Sequence, residues 1–345
     1  LLIIQENMSR YILIIILVVL IYYIGKILVL NSPSNRAAPK EKPVPEAYLL
    51  NFDNAANRLK EDVQMLAGTI GSRSLFHPDN LNQAKDFIKS RMEKYGPVKE
   101  YPYTYSGTEV TNLELDIFSD SSDDAILIIG AHYDTVATTP GADDNASAVA
   151  VLLELAKQAK RIKEEGELKE NLRFLAFTLE EPPAFYSPKM GSRQYVNIIK
   201  QKGEKIKGMI CLEMVGYKSI APDSQQIPFP LNFRNYPRTG DFIAFVANMS
   251  SLSLLNRLIS CTEYKKTLLY EKLIVPGKGR MLPISRMSDH IAFWDKGYPA
   301  VMITDTAFLR NPNYHDFGDK PETLDYHFMA QLVQTLMMLF RRSPT

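Results

Sequence analysis

Six short strand-like runs alternate along this chain with amphipathic helical stretches, and three of the six are apolar on both faces. A strand that is apolar on both faces must be covered on both, as a central strand of a sheet packed between helices is. The runs lie at 111–118, 126–132, 172–178, 208–214, 242–247 and 299–304, and helical periodicity covers 47–68, 82–95, 146–165, 191–201, 250–262, 288–296 and 323–341. This alternation specifies a single α/β domain over 47–345, three-layered, with a mostly parallel mixed sheet flanked by helices. At 345 residues, 46% hydrophobic and 23% charged, the chain can bury such a core, which excludes disordered and fibrous classes. The 40 Lys and Arg against 39 Asp and Glu give no basic surplus to hold nucleic acid. Only two cysteines are present, outside any metal-type spacing, so a bound metal must use His, Asp and Glu.

Residues 1–10 form a short leading segment, in which Met8-Ser9-Arg10 reads as a natural start. The run 11–30 that follows carries a single charge, Lys26. Twenty apolar residues match a hydrocarbon core, so this run is expected to be a transmembrane signal anchor with Arg10 on the cytoplasmic side. A cleaved signal peptide is the competing reading. Residues 31–46, with Pro33, Pro39, Pro43 and Pro45 and almost no large apolar side chain, are expected to form a stalk. The domain beyond is then expected in the periplasm or outside the cell, secreted if the leader is removed.

In a sheet of this kind ligands collect at the carboxyl ends of the strands. Chemistry-bearing residues cluster there: His132 and Asp134 after 126–131, Glu180 and Glu181 after 172–178, Glu213 after 208–212, and His315 after 299–304. Asp144 lies in a turn that opens a helix between the first two. His132, Asp144, Glu181, Glu213 and His315 are nitrogen and oxygen donors of the kind zinc takes, enough for two ions if one carboxylate bridges them. Such a pair can polarise a carbonyl and activate a shared water. Glu180, beside a candidate ligand, is available to move protons, and Pro182-Pro183 breaks the strand so that both glutamates can face one site. Each motif alone has a bland reading as a cap, a structural pair or solvated charge.

The ordered set GAHYDT (130–135), PGADDNASA (140–148), FTLEEPP (177–183), MGS (190–192), CLEMVGY (211–217), SDHIAFWDKGYPA (288–300) and NPNYHDFGDKPETLDY (311–326) resembles the zinc exopeptidases of metallopeptidase family twenty-eight. The same superfamily includes glutamate carboxypeptidase and glutaminyl cyclase. The resemblance runs from about Asp62 to Phe340 and implies a zinc-peptidase fold holding two zinc ions. Carried over, it makes His132 and His315 terminal ligands of different ions and Asp144 their bridge. Glu181 and Glu213 complete the two sites, Glu180 is the general base, and Asp134 fixes the His132 imidazole through its carboxylate. Tyr314 resembles the phenol that stabilises the oxyanion, and the Asp144-Asn145 peptide is expected to be cis. Two departures are visible: Glu213 stands where the family's aminopeptidases have aspartate, and Pro182-Pro183-Ala184 replaces a glycine-containing turn.

Arg310 and Asn311 are candidates to hold substrate backbone. His290, His77, His327, Trp294 and Arg73 read as structural or surface residues. The leading function is a membrane-anchored aminopeptidase that hydrolyses the amino-terminal bond of a peptide with a free amino terminus, through a metal-bridging water and a glutamate base. Alternatives are a single-zinc cyclotransferase of the glutaminyl cyclase kind, a carboxypeptidase of the same superfamily, and a non-enzymatic binding ectodomain.

Overall fold

A computed structural model describes residues 2–31, 44–262 and 268–341. The first helix, α1 (Leu2–Leu30), contains the apolar run. The domain then opens with α2 (Phe52–Val63), α3 (Pro78–Met92) and an antiparallel pair, β1 (Val98–Tyr105) and β2 (Thr108–Ile117). Four units follow: β3 (Ile126–His132) with α4 (Ala148–Glu164), β4 (Asn171–Phe177) with α5 (Gly191–Lys202), β5 (Ile206–Glu213), and β6 (Ile243–Asn248) with α6 (Leu252–Thr262). The chain closes with β7 (Tyr270–Val275), α7 (His290–Lys296), β8 (Ala300–Thr304) and α8 (Tyr326–Phe340).

Among the described residues these strands make one sheet in the order β1-β2-β4-β3-β5-β8-β6-β7. Its centre, β4-β3-β5-β8, is parallel throughout. The pairings β1/β2, β2/β4 and β6/β8 are antiparallel, and β6/β7 is parallel. Every residue of β3, β4, β6 and β8 is buried, as strands covered on both sides must be. One apolar layer, built from α2, α3, α4, α6 and α8, covers one face; α5 and α7 cover the other.

From β3 the chain steps outward to β4 on one side and later to β5 on the other. The carboxyl end of β3 is therefore a topological switch point, where crossovers diverge and leave a crevice. His132 is the last residue of β3.

Two strands were not visible as apolar runs. The sequence of β1, VKEYPYTY, alternates half-buried with exposed residues and contains Pro102; β7 begins Tyr-Glu-Lys. Both are edge strands, where charge and proline discourage pairing with another chain, so the residues that protect the edge also remove the hydrophobic signal. The helix expected over 47–68 is interrupted: Asn51 caps α2 by accepting a hydrogen bond from the Asn54 amide, and Glu46–Tyr48 form a separate turn.

The expected stalk at 31–46 lies largely outside the described residues, since 32–43 are not among them. Its first residue does not lead away from the domain. Asn31 is fully buried, and its side-chain amide donates to the Ile274 carbonyl at 2.7 Å and accepts from the Ile274 amide at 2.6 Å, completing the backbone pairing of edge strand β7. Leu50, on the far side of 32–43, is again in the core. The end of α1 is thus docked on the domain.

Candidate metal centre and active site

The five side chains, spread over 183 positions between His132 and His315, converge at the switch point. His132, Asp144 and Glu213 present ligand-type atoms that all lie within 4.8 Å of one another, as do Asp144, Glu181 and His315, so Asp144 belongs to both trios. His132 Nε2 is 3.5 Å from Asp144 Oδ1 and 3.3 Å from Glu213 Oε2; His315 Nε2 is 3.2 Å from Asp144 Oδ2 and 3.4 Å from Glu181 Oε1. Each Asp144 oxygen therefore faces a different histidine. Glu180 Oε2 stands 3.9 Å from His132 Nε2. The extra methylene of Glu213 does not keep its carboxylate out of the cluster, where it also accepts a 2.6 Å hydrogen bond from the Ser288 hydroxyl.

Backbone geometry holds these groups in place. His132 Nδ1 lies 3.1 Å from the backbone carbonyl of Asp134, and an Nδ1–H donated there leaves the Nε2 lone pair facing the cluster. The Asp134 carboxylate was expected to do this. It is 3.5 Å from Nδ1, and its two oxygens accept the amides of Glu180 at 3.0 Å and Glu181 at 3.1 Å. That capture, with Leu179 in the left-handed region at φ 56°, turns both glutamates inward. The strand thus breaks one residue before the glutamates, earlier than Pro182-Pro183, because a carboxylate receives two consecutive amides that strand pairing no longer uses. Gly191 closes on the same turn: its amide donates to the Thr178 carbonyl, and a Cβ there would lie 2.0 Å from that oxygen.

Asp144 is aimed by residues outside the candidate ligand set. Both Asp319 oxygens accept backbone amides, from Asp143 at 2.9 Å and from Asp144 at 3.1 Å. The Asp144-Asn145 peptide is cis, as expected, and the Asn145 side chain spans β5, donating to the Leu212 carbonyl and accepting from the Met214 amide on either side of Glu213. Arg73, completely buried, donates to the carbonyls of Tyr133, Leu66, Gly71, Pro140 and Gly141 and so clamps the loop leading into Asp144.

The Arg310 and Asn311 side chains engage the protein's own loops. Arg310 donates to Gln225 at 2.9 Å and stacks on Phe242, and the Asn311 amide donates to the Asp143 carboxylate at 2.8 Å. His290 turns away from the cluster, its Nε2 2.8 Å from the Ser285 carbonyl and its ring against Trp294. Its neighbours face inward: Ser288 reaches Glu213, and the buried Asp289 carboxyl is pushed up to about 7, by burial first and also by the charges of Glu213 and Asp134. Tyr314 stacks on the His315 ring at 3.8 Å between centroids. His77 lies 3.0 Å from the Ser74 hydroxyl, and His327 pairs with Asp53 at the surface.

Burial and mutual charge shift the titration of the clustered groups. Burial and then the Asp144 charge raise Glu181 to about 8; burial, Glu213 and Glu181 raise Glu180 well above the carboxylate range. Burial pulls His315 down, but Asp144 and Glu181 outweigh it and lift it to about 10. Glu213 is likewise raised, first by burial. His132 Nε2, Asp144 Oδ1, Glu181 Oε1 and His315 Nε2 are buried and have no hydrogen-bond partner among the described residues. Buried ligand-type atoms converging without hydrogen-bond partners among the described residues fit a site for divalent cations, and the all-nitrogen-and-oxygen donor set suits zinc.

Beside the cluster, Glu213 and Tyr314 open into a cavity of about 120 Å³ walled by Phe242, Val246, Met302 and Leu309. It lies over the face of the sheet formed by β5, β8, β6 and β7.

Residues 112–340 match the sequence profile of Peptidase family M28, and the chain belongs to that family. It is therefore a metallopeptidase, a hydrolase of the zinc exopeptidase superfamily. The protein called "Uncharacterized protein YfbL" of Escherichia coli K12 is 36% identical over 295 residues, covering 83% of this chain and 88% of its own. Leucine aminopeptidase 1 of Trichophyton rubrum is 24% identical over 217 residues, 60% of this chain; the match takes in about half (51%) of that relative's length. LapA of Legionella pneumophila has the same fold, with a TM-score of 0.65 at 17% identity over 88% of this chain and 78% of its own.

Proposed function

We propose that this protein is a di-zinc aminopeptidase, on the observation that two ligand trios share Asp144 while His132 Nε2, Asp144 Oδ1, Glu181 Oε1 and His315 Nε2 have no hydrogen-bond partner among the described residues. His132, Asp144 and Glu213 would hold one ion, and Asp144, Glu181 and His315 the other. Such a pair, when bound, supplies Lewis acidity at the scissile carbonyl and makes water nucleophilic at neutral pH. Glu180, buried and held by its amide but outside both trios, takes the proton from the attacking water and delivers it to the leaving amine. Tyr314, whose ring stacks on His315, donates its phenol to the developing oxyanion in this reading. A free α-amino group is a cation, and Glu180 and Glu213 provide the negative field that receives it. Arg310, the cation a carboxypeptidase would need beside the ligands, is engaged with Gln225 and Phe242. The apolar cavity beside Glu213 then takes the side chain of the first residue, favouring large hydrophobic ones.

The expected activity is hydrolysis of unblocked leucyl or phenylalanyl amides and short peptides, abolished by acetylation of the amino terminus and by chelators. Equal turnover of acetylated and free substrates would refute amine recognition. Cyclisation of amino-terminal glutamine with ammonia release and no peptide cleavage would make the protein a cyclotransferase.

A further inference from the structure

Among the described residues one helix, α1, is long and apolar enough to cross a bilayer, through Tyr11–Leu30. A span of 20 residues gives about 30 Å, the thickness of a hydrocarbon core, with nothing to spare. Upstream, Gln5-Glu6-Asn7 and Ser9-Arg10 interrupt the apolar run, so it cannot be lengthened on that side. Downstream, the last part of the span already touches the domain. Ile27 is 3% exposed and belongs to the same apolar cluster as Leu231, the Leu28 carbonyl accepts from the Arg234 guanidinium, and Asn31 is fixed to β7. The freely exposed part, Tyr11 to Tyr22, would span only about 18 Å. A bilayer crossed by α1 must therefore extend to the level where the domain begins.

At that level the domain presents an unusual surface. The loop that carries Arg234 also carries Phe229 and Phe233, 60% and 67% exposed and in edge contact with each other at 5.8 Å. Lys26 is exposed on α1 with its ammonium over the Tyr22 ring at 5.2 Å, and Arg234 meets the same helix at Leu28, so both segments bring a cation and aromatic rings to the end of the span. Aromatic rings beside Lys and Arg at the end of a span form the composition of a membrane–water interface, where rings sit at headgroup level and cations reach phosphate.

We propose that loop 228–234 is a second membrane contact: Phe229 and Phe233 insert into the interfacial region of the leaflet that α1 exits, seating the domain directly on the bilayer. This rests on reading α1 as a membrane span. The loop reaches the active site as well, since Pro228 and Leu231 line the apolar cavity that opens beside Glu213 and Tyr314. Seating the loop therefore places that cavity at the membrane surface, where peptides with apolar amino termini accumulate.

Tryptophan quenching by brominated phosphatidylcholine in vesicles holding the full chain tests the contact. The one native tryptophan, Trp294, is 1% exposed and gives a constant background. Phe229→Trp and Phe233→Trp should lose roughly half their added emission, as rings sunk about 5–10 Å into the interface would. Tyr22→Trp reports on α1 itself. Phe118→Trp, at the end of β2 and six strand spacings, about 29 Å, from β7, should be unaffected. Quenching at Tyr22→Trp with none at either loop position overturns the proposed contact while leaving the anchor intact. No quenching at Tyr22→Trp removes the anchor, and the proposal with it.

Discussion

Glu180→Gln is expected to lower kcat by about 10²–10⁴ while leaving the metal content unchanged, because general-base catalysis contributes on that order. Glutamine keeps the length and shape of the side chain, and the Glu180 amide bonded to Asp134 is untouched by the change. What it removes is the ability to accept a proton. Glu181→Gln, one residue on, should act differently: its Oε1 belongs to a ligand trio with Asp144 and His315, so metal affinity should fall first and activity with it. The pair of variants, assayed by metal analysis and steady-state kinetics, separates the two roles. Equal loss of metal in both, or an active Glu180→Gln, would contradict the assignment along this dipeptide.

The largest structural effect is expected at Arg73. Its guanidinium is completely buried and is held in the protein interior by five carbonyls, from Tyr133, Leu66, Gly71, Pro140 and Gly141. Burial lowers it to about 10, partly offset by the charges of Asp319, Asp134 and Asp144, so it remains cationic at neutral pH. Arg73→Met matches its length but removes the guanidinium that serves the Tyr133, Gly71 and Pro140 carbonyls, while Leu66 and Gly141 keep the amides of Gly71 and Ala146, and the cost should be about 3–5 kcal/mol. The expected readout is a large drop in the denaturation midpoint with the slope unchanged; a change under about 1 kcal/mol would show that water or a shifted loop satisfies the carbonyls.

Which parts of this molecule were legible in advance follows from where the physical signal lies. The central strands announce themselves because burial on both faces requires near-continuous apolar runs, and 126–132 coincides with β3. The candidate ligands were legible because histidines and carboxylates ending such runs share one end of a parallel sheet. Less accessible was whatever depended on the backbone alone. That both Glu180 and Glu181 point inward depends on Asp134 capturing their amides, and only the folded loop reveals which atom of Asp134 holds His132. His290 reads as a structural residue and turns away from the cluster, but its neighbours gave no signal: the turn that starts α7 sends Ser288 and Asp289 toward the cluster. Asp319 and Asn145 act on main-chain groups, a role that leaves no spacing pattern. A proline-rich segment reads as a stalk by composition, yet Asn31 returns its flank to β7 through a pairing that no local propensity encodes.

The central claim is that two cations occupy the paired trios around Asp144. Elemental analysis of the full chain, purified without chelators and exchanged into metal-free buffer, tests it most directly when wild type is compared with Asp144→Asn. The account predicts two equivalents of zinc per wild-type chain and loss from both sites in the variant, because one carboxylate serves both trios. A wild-type chain that retains one equivalent or none after zinc saturation, or an Asp144→Asn variant that keeps two, would contradict it.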